Sequence, residues 1–211
     1  MPDLVVDLLL APLVQRLSER APQARLEVLP WEGTHQLASE LSRPVDIIVS
    51  YAPEAFAGFR RERLYTDRDR LAVRRDHPRR SRLHRLEEFR AARHIAVVGR
   101  NAQRDPIDEW LSRSGHERRI AAVTPGYLQA LHIAARSDLV AFVPSRLIAT
   151  VARPLGLRAV QPPLDPGLDE QFMFYPAQAE SDPGSLWLRR LMLEIAGEMQ
   201  RARPAPNKAR R

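Results

Sequence analysis

The sequence contains no cysteine and a single lysine, Lys208. Without cysteine the chain has no disulfide, no thiolate nucleophile and no cysteine-ligated zinc. No apolar run approaches the roughly 20 residues that a membrane-spanning helix requires, so we expect no membrane partner. The first residues, beginning Met1-Pro2-Asp3, lack the basic region of a secretory signal peptide, which predicts a cytoplasmic location.

The motifs of common enzymes are also missing. The sequence has no GxxxxGK phosphate loop, no GxGxxG fingerprint, no HExxH and no GxSxG. No histidine has a second ligand at zinc-binding spacing. We therefore expect no cofactor, no metal and no catalytic residue. The carboxylates of Asp67 and Asp69 alternate with Arg68 and Arg70, which favours an exposed, salt-bridged strand end over an acid–base pair.

The positive charge, formally +7, is concentrated in two segments. Residues 74–93 contain eight arginines against three acids, and residues 201–211 carry five cations and no acid. The rest of the chain is slightly acidic, which argues against a nucleic-acid-binding surface along the whole chain. We expect the arginines of 74–93 to form a solvated face and residues 201–211 to be a disordered basic tail.

The hydrophobic pattern predicts two blocks in which helices and strands alternate. The first block contains a helix from Asp3 to Arg20 interrupted at Pro12, a strand at 25–29, a helix at 34–41 and a strand at 45–49. The second contains helices at 86–92, 105–114, 127–136 and 144–151 and strands at 94–98, 120–124, 139–143 and 157–160. Extended segments at 59–65, 70–74 and 172–175 connect the blocks, and a helix at 182–200 has Trp187, Leu188, Leu191, Met192 and Ile195 on its core face.

This alternation is typical of an α/β fold with parallel strands and helical crossovers. Two such blocks joined by extended segments predict two small lobes. In parallel sheets a ligand binds beyond the carboxyl ends of the strands, and between two lobes that place becomes a cleft.

The residues that follow the predicted strands are therefore candidates for ligand contacts. After one strand, Gly99 permits a close backbone approach and Arg100 offers a planar fork for a carboxylate. Further candidates are Gly126-Tyr127 at a helix start, Ser50-Tyr51, Tyr175 and the helix-capping Asp3. Each has a structural alternative: a solvated arginine, an ordinary turn, a core tyrosine or a simple cap. His132 lies in mid-helix and is expected at the surface or in an interface.

Six segments between residue 1 and about 200 form a pattern through their order and spacing. They are the first helix with Leu10-Ala11-Pro12-Leu13 and Arg20-Ala21-Pro22, then Leu26 to Pro30, Asp46-Ile47, Arg74-Arg75-Asp76-His77-Pro78, Ser137 to Pro144, and Asp182-Pro183-Gly184-Ser185-Leu186-Trp187-Leu188-Arg189. Together they resemble the effector-binding domain of LysR-type transcriptional regulators. The pattern is most similar to the branch that includes nodulation and nitroaromatic-responsive activators.

The resemblance implies two Rossmann-like lobes with a hinge, as in periplasmic binding proteins of type 2. Lobe I would hold residues 1–73 and 170–200, and lobe II residues 74–169. A small organic effector, anionic or aromatic in this branch, would bind in the cleft and change the arrangement of the lobes and the oligomer. The effector contacts carried over are Pro2, Asp3, Leu4, Ser50, Tyr51, Gly99, Arg100, Gly126, Tyr127 and Tyr175.

The resemblance also implies partners. An antiparallel homodimer, or a tetramer, would pair the first helix of one chain with the helix at 127–136 of another. Promoter DNA would be bound only through a winged helix-turn-helix domain, which the family places before the first residue of this chain together with the first strand of lobe I. A fragment, a start assigned too far downstream and a degenerate gene each account for this beginning.

Two departures from the nitroaromatic-responsive branch concern the effector. Tyr175-Pro176 stands where that branch has a tryptophan–histidine pair, and Gly126 stands where it has a further histidine. Recognition of an aromatic acid would then rest on Arg100. Two alternative functions remain at this point: a small-substrate enzyme on the same fold, and a solute-binding protein of a transporter.

Overall fold

A computed structural model describes residues 5–29, 45–51, 57–99 and 102–202 of the chain, which form two compact units. The first unit contains the described residues up to Thr66 and those from Glu170 onward, and the second runs from Asp67 to Asp169. The helices are α1 (Ala11–Arg20), α2 (Leu86–Ala91), α3 (Pro106–Arg113), α4 (Tyr127–Ala135), α5 (Ser145–Leu155) and α6 (Pro183–Arg201). The strands are β1 (Ile48–Ser50), β2 (Phe59–Asp67), β3 (Asp69–Arg74), β4 (Arg93–Val97), β5 (Arg119–Thr124), β6 (Leu139–Pro144), β7 (Leu157–Val160) and β8 (Asp169–Pro176).

In the first unit, the three-stranded sheet has the order β1-β8-β2, with β1 and β8 antiparallel. Helix α1 packs against α6, and both bury leucines: Leu13 and Leu17 on α1 and Leu191 on α6. At the rim of this contact Arg16 donates to Glu194 at 2.6 Å and to Glu198 at 2.8 Å. An ion pair this exposed contributes little to stability, so burial of the leucines is what mainly stabilises the helix pair.

The interruption expected at Pro12 takes the form of a π-helical turn. Val6–Leu10 form one turn of π-helix, and α1 begins at Ala11 with the proline in its first turn. Proline has no N–H to donate to the carbonyl four residues earlier, so the α-helical bond is lost there in any case. The wider π-helical turn accommodates the loss of the hydrogen bond that Pro12 cannot donate, so the helix continues through this position.

The strand predicted at residues 25–29 is wrong. These residues belong to no sheet, and Leu26 and Val28 are 38% and 37% exposed. Alternating hydrophobicity specifies a face, but a strand also needs a ladder of backbone hydrogen bonds to a neighbouring strand, which the pattern of one segment does not specify. The short helix predicted at 34–41 lies outside the described residues.

The second unit is built on a five-stranded sheet of order β5-β4-β6-β3-β7. Strands β5, β4 and β6 are parallel, whereas β3 is antiparallel to both β6 and β7. The prediction of parallel strands is thus confirmed for the second block, while the first unit contains the antiparallel pair β1–β8. Alternating elements do not specify where a returning strand inserts, and β8 returns between β1 and β2.

The second unit is buried on both faces of this sheet, since Ala72 on one face of β3 is as fully buried as Leu71 and Val73 on the other. The cluster on the face of Leu71 consists of Leu71, Val73, Leu83, Phe89, Ala92, Ile107, Leu111, Val140 and Phe142. Strand β3 contributes to this core from the middle of the sheet, so residues 67–73 belong to the second unit. The sequence-based division placed them in the first lobe. Trp187, expected on the core face of α6, is 38% exposed; it is the fifth residue of the helix and lies one turn before the buried stripe of Leu191, Met192 and Ile195.

Two segments that carried the family resemblance meet in the second unit. His77 accepts a hydrogen bond from the backbone N–H of Arg79 and donates one from Nε2 to the carbonyl of Asp138 at 3.1 Å. Arg74 pairs with the Asp138 carboxylate at 2.8 Å. The turn at 75–79 is thereby fixed to the start of β6, so these two motifs hold the fold together.

Candidate functional site

One edge of the second unit's sheet collects two of the four strand ends that the sequence singled out. Strands β4, β5 and β6 run in the same direction, so Gly99, Gly126 and Pro144 come out at the same side. Strand β3 runs the other way, and its first residue, Asp69, pairs with Pro144. We call this line of residues the carboxyl edge. It is where open α/β sheets bind ligands.

The two glycines of the carboxyl edge are placed by short local contacts. The N–H of Val98 bonds the carbonyl of Thr124 at 2.9 Å, which ties the ends of β4 and β5 together. The buried Thr124 hydroxyl then donates to the carbonyl of Gly126 at 3.1 Å. A side chain added at Gly99 would meet no atom of the described residues within 4 Å, so these residues leave open space beside this backbone.

The two helices that start at this edge after β4 and β5 begin differently. Helix α3 begins with a conventional cap, since Asp105 accepts from the N–H of Ile107 at 2.9 Å. Helix α4 has Gly126 as its N-cap, and this residue makes no side-chain capping bond. Gly126 is buried and Tyr127, the first helical residue, is half-buried. The start of α4 thus presents its positive dipole end at the carboxyl edge.

Asp105 also anchors a buried ionic cluster below the edge. Its carboxylate accepts from the N–H of Val97 at 2.7 Å and from Nη2 of Arg118 at 2.7 Å. Arg118, whose side chain is fully buried, donates its Nε to Asp108 at 2.6 Å. The cluster joins the end of β4, the start of α3 and the start of β5, and fixes the loop ends rigidly.

Asp67 is not the exposed strand end that the sequence predicted. It is 6% exposed and accepts three hydrogen bonds, from the N–H of Arg68, the hydroxyl of Ser145 and the N–H of Arg146. Helix α5 begins after Pro144, which has no side-chain acceptor, so a carboxylate from a distant segment caps it. The missing cap in the sequence Val-Pro-Ser-Arg was the signal that an outside acceptor is needed.

Asp69 was also predicted to be exposed, but it is half-buried. Burial and the nearby carboxylates of Asp169 and Asp67 raise its pKa to about 7. Arg70, which was expected to pair with it, donates instead to the backbone carbonyl of Asp69 at 2.8 Å. A titratable carboxyl group therefore lies at the carboxyl edge.

The candidates in the first unit lie apart from one another. Ser50 is buried at the end of β1 opposite Phe172, and Tyr51 is 49% exposed. Tyr175 is three residues further along β8 than Phe172, about 10 Å by strand geometry. Its ring is covered by the guanidinium of Arg189 at 3.8 Å, and its exposure is 7%. The structure thus brings Ser50 and Tyr51 together and leaves Tyr175 at the other end of the strand pair.

Four of the predicted contacts lie outside the described residues: Pro2, Asp3, Leu4 and Arg100. Within residues 5–29, 45–51, 57–99 and 102–202, no group of three histidine or carboxylate side chains is arranged to hold a metal ion. No helix in the same ranges is long and apolar enough to cross a membrane.

Comparison with known proteins identifies the family. The sequence-family model of the LysR substrate binding domain matches residues 1–197 of this chain. This chain belongs to the LysR substrate-binding domain family. It is 30% identical over 187 residues to the HTH-type transcriptional activator NagR of Ralstonia sp, and 28% identical over 183 residues to NahR of Pseudomonas putida. These matches cover 89% and 87% of this chain, and they span 62% and 61% of the two relatives.

Solved structures of LysR regulators share the fold. The regulatory domain of MexT, a transcriptional activator of Pseudomonas aeruginosa, matches with a TM-score of 0.74 and 26% identity over 92% of this chain and 96% of that domain. The effector domain of AmpR, from the same organism, has a TM-score of 0.71 at 17% identity over 96% of each chain, a likeness of fold alone. The matched LysR regulatory domains have the two-lobed, periplasmic-binding-protein-like fold that the sequence predicted.

Proposed function

We propose that this chain is the effector-sensing part of a LysR-type transcriptional regulator, which binds a small organic molecule and leaves it chemically intact. The proposal rests on the family match and on one structural observation, the carboxyl edge of the second unit. There the open space beside Gly99, the start of α4 at Gly126 and Tyr127, and the carboxyl of Asp69 adjoin one line of strand ends.

The regulatory role extends the proposal beyond this chain. Because the chain spans about three fifths of its curated relatives, we assign promoter binding to a winged helix-turn-helix domain outside it. A cytoplasmic location accompanies such a role. Effector binding would act by favouring one arrangement of lobes and subunits over another.

A ligand screen tests the sensor against the enzyme. We expect a small organic acid, amine or phenol to raise the melting temperature of the purified chain by mass action, and to be recovered unchanged by mass spectrometry. Tyr127→Ala should weaken that binding at least several-fold. Thr150→Ala, an exposed substitution on α5, is the matched control. Conversion of the bound molecule to product would support the enzyme and contradict the proposal.

The oligomer is a second part of the proposal. Val14 on α1 is 46% exposed and Ile133 on α4 is 36% exposed, so both helices of the expected antiparallel dimer present an apolar side chain. In a twofold dimer the contact between α1 of one chain and α4 of the other forms twice, so one substitution affects two contacts. We expect Ile133→Glu to weaken the dimer by a factor of ten or more in sedimentation equilibrium. Ala149→Glu on α5 should leave it unchanged, and a wild-type monomer at high concentration would contradict the dimer.

A further inference from the structure

Asp69 lies where the proposed effector would bind, and this inference deepens the proposed function. The residue pairs with Pro144 across β3 and β6, and β6 runs parallel to β4. Asp69 is therefore level with the residues that follow β4, two strand spacings away, about 10 Å. It shares the carboxyl edge with Gly99 and Gly126.

The side chain of Asp69 lies at the end of the apolar core. Side chains alternate along a strand, so Asp69 is on the face of Leu71 and Val73, both of which are fully buried. Arg70 is on the opposite face, and it donates to the backbone oxygen of Asp69. Across the described ranges no arginine or histidine comes within 4.0 Å of the Asp69 carboxylate.

The charged groups around Asp69 are mostly of its own sign. Asp67 at the end of β2, Asp105 at the start of α3 and Asp169 at the start of β8 all raise its pKa, and Arg70 opposes them. Asp67 is occupied in capping α5, and Asp105 in its bonds to Arg118, Val97 and Ile107. Neither carboxylate is therefore placed to attract a ligand cation as Asp69 is.

We propose that Asp69 is the residue of this site that selects effectors carrying a protonated amine at the carboxyl edge and disfavours a carboxylate there. An ammonium group would supply the positive partner that the described residues do not, whereas a second anion would add to the repulsion among four carboxyl groups. Because the ammonium favours the charged carboxylate, binding near neutral pH should release a proton from Asp69.

Two matched probes test this proposal on the full chain: 2-phenylethylamine, a cation, and phenylacetate, an anion of nearly the same size and shape. Titration calorimetry at pH 6.5 in PIPES and in ACES buffers measures affinity, and the difference between the buffers counts the protons released. We expect the amine to bind at least ten times more tightly than phenylacetate, with a measurable fraction of a proton released.

Asp69→Asn should remove most of the preference and all of the proton release, while its unchanged melting transition at pH 5 shows that it is folded. Asp138→Asn, at the opposite edge of the same sheet, is the control and should behave like the wild type. Tighter binding of phenylacetate, an unaltered preference in Asp69→Asn, or no binding of either probe at 10 mM would overturn the assignment of Asp69. The proposed function would still stand if the broader screen finds a ligand that depends on Tyr127, and fails if it finds none.

Discussion

The buried histidine at the start of β4 predicts how the stability of the second unit depends on pH. His94 has no exposed surface, donates a hydrogen bond from Nε2 to the carbonyl of Phe89 at 2.7 Å, and packs its ring 4.6 Å from the Phe89 ring. Its Nδ1 has no hydrogen-bond partner in the described chain. Burial lowers the pKa of His94 to about 4, from 6.5 in an unstructured chain.

The sign of the effect follows from which state binds the proton first. Between about pH 6.5 and pH 4 the unfolded chain takes up a proton at this position and the folded chain does not, so acid favours unfolding. The contribution of neutral His94 is complete above about pH 7 and is lost as the pH falls toward 4. A shift of about 2.5 units corresponds to about 3 kcal/mol in total, of which about 2 kcal/mol is lost by pH 5.

Asp69 has the opposite sign and acts over an overlapping range. Its folded pKa of about 7 lies above the unfolded value, so its contribution to stability is present at low pH and is lost as the pH rises toward 7. The two groups therefore mask each other in the wild type. The His94 effect must be measured in an Asp69→Asn background.

Urea unfolding at pH 8 and pH 5 provides the measurement. In Asp69→Asn we expect the free energy of unfolding to fall between these pH values; Asp105, whose pKa is also raised by burial, opposes this fall equally in every variant and cancels in the comparison. Adding His94→Gln, whose amide still reaches the Phe89 carbonyl, should remove about 2 kcal/mol of that change. His77, whose pKa is also lowered by burial, is present in both variants and cancels in the comparison. An equal pH dependence with and without His94, or a folded-state imidazole signal that titrates near pH 6.5 by NMR, would refute the reasoning.

Three further changes concern helix starts and the buried ion cluster, each measured by urea unfolding at pH 7. Arg118→Met should cost about 3–5 kcal/mol, because it leaves the buried carboxylate of Asp105 without its counter-ion; a cost near zero would mean that the backbone N–H groups suffice. Asp67→Ala should cost about 1–3 kcal/mol, since the Ser145 hydroxyl and the Arg146 N–H lose their acceptor, and Asp67→Asn should recover part of it. Asp182→Ala removes the cap of α6 and should cost about 1 kcal/mol, a value that an unchanged midpoint would contradict.

Local signals explain how much of the fold was predictable. Asp105-Pro106 and Asp182-Pro183 each combine a capping carboxylate with a proline that fits the first helical turn, and both helices begin there. The apolar stretches of β4 and β6 predicted buried strands, because a strand covered on both faces has no polar alternation. These predictions of helix starts and buried strands depend only on residues that are neighbours in sequence.

Features that depend on distant pairing were not predictable. Residues 25–29 have the alternation of a strand, but pairing requires a partner that the pattern does not name. The insertion of β8 between β1 and β2 was not predictable for the same reason, because hydrophobic periodicity carries no information about strand order. The resemblance to the LysR family predicted the two-lobed fold, and the residues themselves did not specify this strand order.

The candidate site shows the same division between local and distant causes. Gly99 and Gly126 are candidates because they lie within two residues of the ends of predicted strands, and their role in binding stays a prediction. Asp67 and Asp69 were misjudged because a carboxylate between two arginines suggests a local ion pair, whereas Ser145, 78 positions from Asp67, provides the actual partner of that residue. Once Asp67 caps α5 and Arg70 bonds to the backbone, Asp69 stays half-buried with a raised pKa. The contact between Asp67 and the start of α5 thus leaves the titratable carboxyl group of Asp69 at the carboxyl edge. The effector chemistry that we propose for this edge therefore depends on tertiary packing, which the local sequence does not specify.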